Sequence, residues 1–163
     1  MSVMILVSSC LLGKKCAHDG KARTSIKVIE IAEKYGYVDI CPEMAGGLPS
    51  PRNMYEISGG GGADVLDKKA KVITPSGEDF SLEFIRGAEE TLREARRHGV
   101  KIAILKARSP SCGKCRVYSG RFDRSLKNGA GVTAALLIKN GIKIYTDEEW
   151  EKASGELSIL KKN

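Results

Sequence analysis

Four short runs rich in Val and Ile, at Val3 to Val7, Tyr37 to Cys41, Lys101 to Leu105 and Ile142 to Tyr145, have the length and composition of buried strands. Amphipathic stretches separate them. Between the first two, Ile26, Ile29 and Ala32 share a helical face, Val28, Ile31 and Tyr35 widen it, and Gly36 supplies a stop. Ahead of the third, Ile85, Ala88, Leu92 and Ala95 recur at steps of three and four, with Ser81 or Asp79 as cap and Gly99 as terminator. Val132, Ala135, Leu136 and Ile138 form another helix closed by Gly141, and Thr146 with Glu149 has the spacing of a capping box opening a short terminal helix around Trp150.

Strands alternating with helices predict a three-layer, Rossmann-like α/β fold with a mainly parallel sheet, because parallel neighbours need a crossover. Right-handed crossovers make it doubly wound. Two stretches depart from this rhythm. From Ala63 to Thr74, Val65-Leu66 and Val72-Ile73 flank a charged segment and suggest a small hairpin, while Pro42 to Gly62 carries three Pro and six Gly and shows no period. A loop that long inside a compact domain is usually functional or disordered, and its closing run Gly59 to Gly62 matches no nucleotide fingerprint and reads as a flexible connector near the site entrance.

The 163 residues suit one domain over 1–163, and 42% apolar with 29% charged residues excludes a disordered chain. The net charge of +7 favours anionic partners without identifying one; a solvated basic surface accounts for it equally. Met1 to Val7 lacks the basic start of a signal peptide, and no stretch approaches the ~18 apolar residues that span a bilayer, so a cytoplasmic protein without a membrane partner is expected. Five cysteines cannot all pair within one chain, which points away from a secreted disulfide framework.

Cysteine position then carries the chemistry. Cys10 lies just beyond the first strand, Cys41 ends the second, and Cys112 follows the third. Ligands in open parallel sheets bind outside the carboxyl ends of the strands, so three thiols from three strands converge on one side. Burial as small hydrophobes is the bland alternative, but it would not select that edge. Three thiolates leave an open coordination position, on zinc as a catalytic-type site or on an iron-sulfur cubane as one free iron. Cys16, and Cys115 of the Cys112-Gly113-Lys114-Cys115 pair, are the candidate fourth ligands. His18 and His98 are weaker ones, His98 serving a helix end.

Polar groups suited to proton work surround these thiols. Glu43 follows Cys41 by two residues, Ser109 and Ser111 bracket Pro110 just before Cys112, and Asp19 and Arg52 lie on loops that would roof the site. Tyr55 and Tyr118 are the nearest aromatics for stacking on a base.

The strings Val7-Ser8-Ser9-Cys10-Leu11-Leu12-Gly13, Cys41-Pro42-Glu43-Met44-Ala45-Gly46-Gly47-Leu48-Pro49-Ser50-Pro51-Arg52, Leu105-Lys106-Ala107-Arg108-Ser109-Pro110-Ser111-Cys112-Gly113 and Gly129-Ala130-Gly131-Val132-Thr133 resemble a bacterial family that includes the [4Fe-4S]-dependent thiouracil desulfidases. The resemblance runs from about Met4 to Trp150. It implies a [4Fe-4S] cluster held by Cys10, Cys41 and Cys112, whose fourth iron takes the sulfur of a small thiolated substrate, with Glu43 as the catalytic carboxylate and Ser109 as the active-site serine, Ser111 being its neighbour. Cys16 and Cys115 have no place in that ligand set, which leaves open a different site, another metal, or a disulfide formed after cluster loss. Aerobically prepared protein is expected to hold zinc or an empty site. A non-catalytic sulfide or metal carrier would use the same thiols. An RNA-associated protein would use the charge and the basic segment Lys101 to Arg108, but the chain offers no recognised RNA module and nine aromatics for stacking.

Overall fold

A computed structural model describes residues 3–163; Met1 and Ser2, the start of the apolar N-terminal run, lie outside them. In chain order the elements are β1 (Ile5–Ser8), α1 (Ile26–Tyr35), β2 (Tyr37–Ile40), α2 (Pro42–Ala45), β3 (Glu56–Ser58), α3 (Gly62–Leu66) and β4 (Lys71–Ile73). There follow α4 (Ser81–Arg97), β5 (Ile102–Leu105), β6 (Arg116–Tyr118), β7 (Leu126–Asn128), α5 (Val132–Lys139), β8 (Lys143–Thr146) and α6 (Trp150–Lys162).

The four apolar runs form one parallel sheet in the order β2-β1-β5-β8. Alternation along each strand divides the core. Ile5 and Val7 pack with Val28, Ile31, Ala32, Ala153 and Leu157 of α1 and α6, while Leu6, Ala103 and Leu105 pack with Leu92, Ala95, Ala134 and Leu137 of α4 and α5. Helices on both faces of a parallel sheet make the three-layer α/β fold that the periodicity implies. Each fully buried Leu or Ile in these layers contributes about 1.5–3 kcal/mol relative to exposure. The order places β1 between β2 and β5, so the chain leaves β1 in one direction for β2 and later fills the other side. That reversal opens the crevice beyond the strand ends.

Several local readings need correcting. The buried stripe of α1 is Val28, Ile31, Ala32 and Tyr35; Ile26 is 64% exposed, because Ser25, whose hydroxyl accepts the Val28 N–H, sets the first turn with Ile26 facing out. The hairpin proposed within Ala63 to Thr74 is absent. Val65-Leu66 lies in α3, where the Asp64 carboxylate accepts the Gly61 N–H at 2.8 Å, and β4 pairs instead with β3 from the preceding loop. The period-free stretch thus contains α2 and β3, and the glycine run ends in close packing: the Gly62 N–H donates to Ala130 at 2.7 Å, and a side chain there would strike the Gly131 backbone. β6 and β7 form an antiparallel pair that gave no periodic signal. Glu149 accepts the Thr146 N–H at 3.1 Å, as the capping spacing implies, but opens a 3-10 turn before the thirteen-residue α6.

One close approach bears directly on the site. The short helix α2 lies against α4 so tightly that a Cβ on Gly87 would overlap the Pro42 carbonyl, and one on Gly46 would overlap the Glu83 carbonyl. Backbone meets backbone because neither residue carries a side chain. Gly87→Ala therefore costs about 1–3 kcal/mol in overpacking, more than the ~1 kcal/mol it gains in helix propensity. Urea denaturation of the metal-free protein reads the balance, and a net stabilisation would show that α2 yields freely.

Candidate active site

Beyond the ends of β1, β2 and β5 lies a cavity of about 350 Å³, within the range of small-molecule sites. Cys10, Cys16, Cys41 and Cys112 all line it, and all five cysteines are free thiols. Cys115 is exposed and lines a separate surface depression, so the C-x-x-C pair is split between cavity and surface.

Each thiol is delivered by a different local device. After β1 the chain enters a 3-10 turn, Ser9–Leu12, closed by Gly13 in the left-handed region at φ 94°. The Cys10 carbonyl accepts the Arg23 N–H at 2.9 Å, which folds the next loop back over the turn. Cys41 is the extended N-cap residue of α2, with Pro42 in the first helical position and Glu43 one residue further into the turn. Cys112 is set by Ser109, whose hydroxyl oxygen accepts the backbone N–H groups of Ser111 and Cys112, both at 3.1 Å. The N-terminus of α5 then pins that loop, Val132 and Ala134 donating to the Pro110 and Ser111 carbonyls at 2.8 and 3.0 Å.

Glu43 is buried and both of its oxygens are engaged. Oε1 accepts from Arg52 Nε at 2.9 Å, and Oε2 accepts from Ser111 Oγ at 2.8 Å. The direction of the neighbouring bonds follows by elimination. Ser111 has one proton and gives it to Glu43, so in the Ser109–Ser111 pair at 3.0 Å it is Ser109 that donates. Ser109, Ser111 and Glu43 form a continuous chain of proton positions.

Arg52 is itself buried and spends its remaining donors on the carbonyls of Pro49 at 3.0 Å and Cys16 at 2.9 Å, with the Cys41 sulfur at 3.8 Å. Burial works against its charge, but Glu43 outweighs this and holds its pKa above the ordinary value. Removing one partner of such a pair strands the other's charge. Arg52→Ala is expected to lower the unfolding free energy of the metal-free protein by about 3–5 kcal/mol, read by urea denaturation; a loss below about 1 kcal/mol would show that solvent replaces the guanidinium.

Three of the cavity thiols, Cys16, Cys41 and Cys112, are held above the ordinary thiol range. Burial pushes Cys112 up to about 11, against the hydroxyl of Ser8 at 3.3 Å, which favours the thiolate. Contact with Cys10 raises Cys16 to about 11, and contact with Cys16 together with burial raises Cys41 further. Among the described residues no three His, Cys, Asp or Glu side chains converge as the ligands of a single metal ion.

The other residues singled out in the sequence fall in different places. His18 lines the cavity, whereas Asp19 turns to the surface and pairs with Arg23 at 3.0 Å. His98 caps the end of α4 beside Glu94. Tyr118 and Tyr55 both line the cavity, but Tyr55 is a core residue held edge-on by Phe80 and Phe84 at 5.1 and 5.3 Å between ring centroids. The tie from Arg52 to Glu43 had no signal in residue spacing, since it depends on how two loops lie together, whereas Cys16, a candidate fourth ligand in the sequence, does line the cavity. No helix among the described residues is long and apolar enough to cross a membrane.

A family model described as 2-thiouracil desulfurase matches residues 5–149. The Bacillus subtilis protein YbbK, itself uncharacterised, is 42% identical over 146 residues, covering 90% of this chain and 97% of its own. The solved structure of the [4Fe-4S]-dependent thiouracil desulfidase TudS is similar with a TM-score of 0.86 at 36% identity, over 97% of this chain and 99% of that one.

Proposed function

The chain belongs to the 2-thiouracil desulfurase family, and we propose that it converts a thiolated pyrimidine base or similar thiocarbonyl compound to the oxo product at this cavity, releasing sulfide. The observation that carries the reading is the meeting, in one small-molecule cavity, of thiols from three strand ends with a buried carboxylate that has its own proton chain.

The donor set suits an iron-sulfur cluster. Thiolates are soft ligands, a cluster accepts one thiolate per iron and so tolerates thiols too spread for a single ion, and TudS is [4Fe-4S]-dependent. Cys10, Cys41 and Cys112 would hold it. When bound, the cluster supplies an iron with no protein ligand among these three, a thiophilic Lewis acid for the substrate sulfur.

The protein's own groups do the rest. Glu43, oriented by Arg52, takes a proton from water as the water oxygen attacks the thiocarbonyl carbon. Ser111 holds Oε2 in place, and Ser109 passes a proton along the chain in either direction as Glu43 gains and loses its own. One water enters, the C=S bond is replaced by C=O, and hydrogen sulfide leaves; no electrons are exchanged and no donor is needed. Tyr118 lies on the wall where a flat base would rest. A sulfide or metal carrier would need the thiols but has no use for a buried Glu43 and its serine chain. The reading treats residues 1–163 as one working domain in the cytoplasm, where thiols stay reduced.

Anaerobically purified or reconstituted protein is expected to be brown and to convert 2-thiouracil to uracil with one sulfide per turnover. Colourless protein carrying stoichiometric zinc and no iron under those conditions would overturn the cluster assignment; a stable cluster without sulfide release from any thiolated base or nucleoside would favour the carrier.

A further inference from the structure

The cavity holds one thiol more than the proposed ligand set uses. Cys16 is buried, lines the same cavity as Cys10, Cys41 and Cys112, and belongs to none of the three apolar clusters of the core. It is therefore not explained as a small hydrophobe. Its main chain is built into the site: the Cys16 carbonyl accepts from Arg52 at 2.9 Å and from the Cys41 thiol at 3.6 Å. The residues on either side are strapped down by Ser50, whose hydroxyl lies 3.3 Å from the Lys15 carbonyl and 2.9 Å from that of Ala17. The Arg52 N–H reaches the next carbonyl, that of His18, at 2.7 Å. One loop thus fixes another so that a fourth thiol faces the cavity.

We propose that Cys16 is a displaceable fourth ligand, which occupies the iron left open by Cys10, Cys41 and Cys112 in the resting protein and gives it up to the sulfur of an incoming thiolated substrate. The inference rests on the desulfidase reading. A thiolate matches the softness of the iron better than water does, so it shields the vacancy without closing it permanently. In the exchange the iron–sulfur bond to Cys16 breaks, its electron pair stays on the Cys16 sulfur, which takes a proton from solvent water, and a lone pair of the incoming sulfur forms the new bond. No redox partner is required.

Hydrosulfide titrations of the reconstituted protein, followed by the cluster's absorption and by the electron paramagnetic resonance of its reduced form, provide a readout independent of turnover. If Cys16 holds the iron roughly nine-tenths of the time, the competent fraction is about one-tenth, and both Cys16→Ala and Cys16→Ser bind hydrosulfide about ten-fold more tightly than the wild type. Iron content is equal in all three. Equal affinities overturn the proposal, leaving Cys16 as packing. Iron loss in the variants, with circular dichroism unchanged in the metal-free proteins, also overturns it by making Cys16 a permanent ligand. A wild-type protein that takes up no cluster brings down the desulfidase reading, and the inference with it.

Discussion

Glu43→Gln is expected to lower the rate of thiocarbonyl hydrolysis by about 10²–10⁴-fold, the usual contribution of a positioned general base, while leaving the iron content unchanged. Gln has the same shape and still accepts the Ser111 proton, but it cannot take one from water. Substrate sulfur is bound elsewhere, so the loss falls on kcat far more than on KM. The substitution also leaves the buried Arg52 without its counter-charge, and some loss of stability accompanies it. Glu43→Asp separates the two effects, since it keeps the charge beside Arg52 but withdraws the carboxylate by one methylene: stability recovers while turnover stays low. Anaerobic steady-state assays with iron determination on the same samples check the pair. Turnover within two-fold of wild type in Glu43→Gln would remove Glu43 as the base.

Cys41→Ala has a different signature, abolishing colour and turnover together. Two of the three proposed ligands do not retain the cluster, and the sulfur that Arg52 and Cys16 approach is gone. The metal-free variant should nonetheless fold, because Cys41 is only partly buried and the N-cap geometry of α2 rests on its backbone and on Pro42. Iron content, visible absorption and sulfide release after anaerobic reconstitution, beside circular dichroism of the metal-free form, decide the matter. Full iron occupancy with full turnover would exclude Cys41 from the ligand set.

The central sheet was readable because its strands are short, continuous apolar runs separated by helices whose buried positions recur at three and four residues. The β1 and β5 strands are central in the sheet and buried along their whole length, so burial dominated local propensity there. What escaped was set by contacts distant in sequence. Glu43 stood out in the sequence beside Cys41, but its burial came only from α2, four residues long and pressed against Gly87 of α4. The buried face of α1 was read too broadly: it includes Val28, Ile31, Ala32 and Tyr35 as expected, but Ile26 and Ile29 match the periodicity equally well and Ile26 faces out. Ser109 drew attention through its place beside Pro110, yet it is Ser111, two residues on, that touches the carboxylate. The pairing of β6 with β7 is three residues long on each side, too brief for alternation to declare itself.

The three strand ends that carry Cys10, Cys41 and Cys112 are far apart along the chain and adjacent in space. Any group bound to all three at once acts as a staple across the sheet, closing long loops that the unfolded chain would otherwise leave free. Such a group binds only the folded state and stabilises it accordingly. Loss of such a group would therefore shorten the survival of the polypeptide as well as any activity that depends on it. Cellular proteases, which sample opened chains, would clear the empty protein before the loaded one and keep the standing population matched to the iron supply.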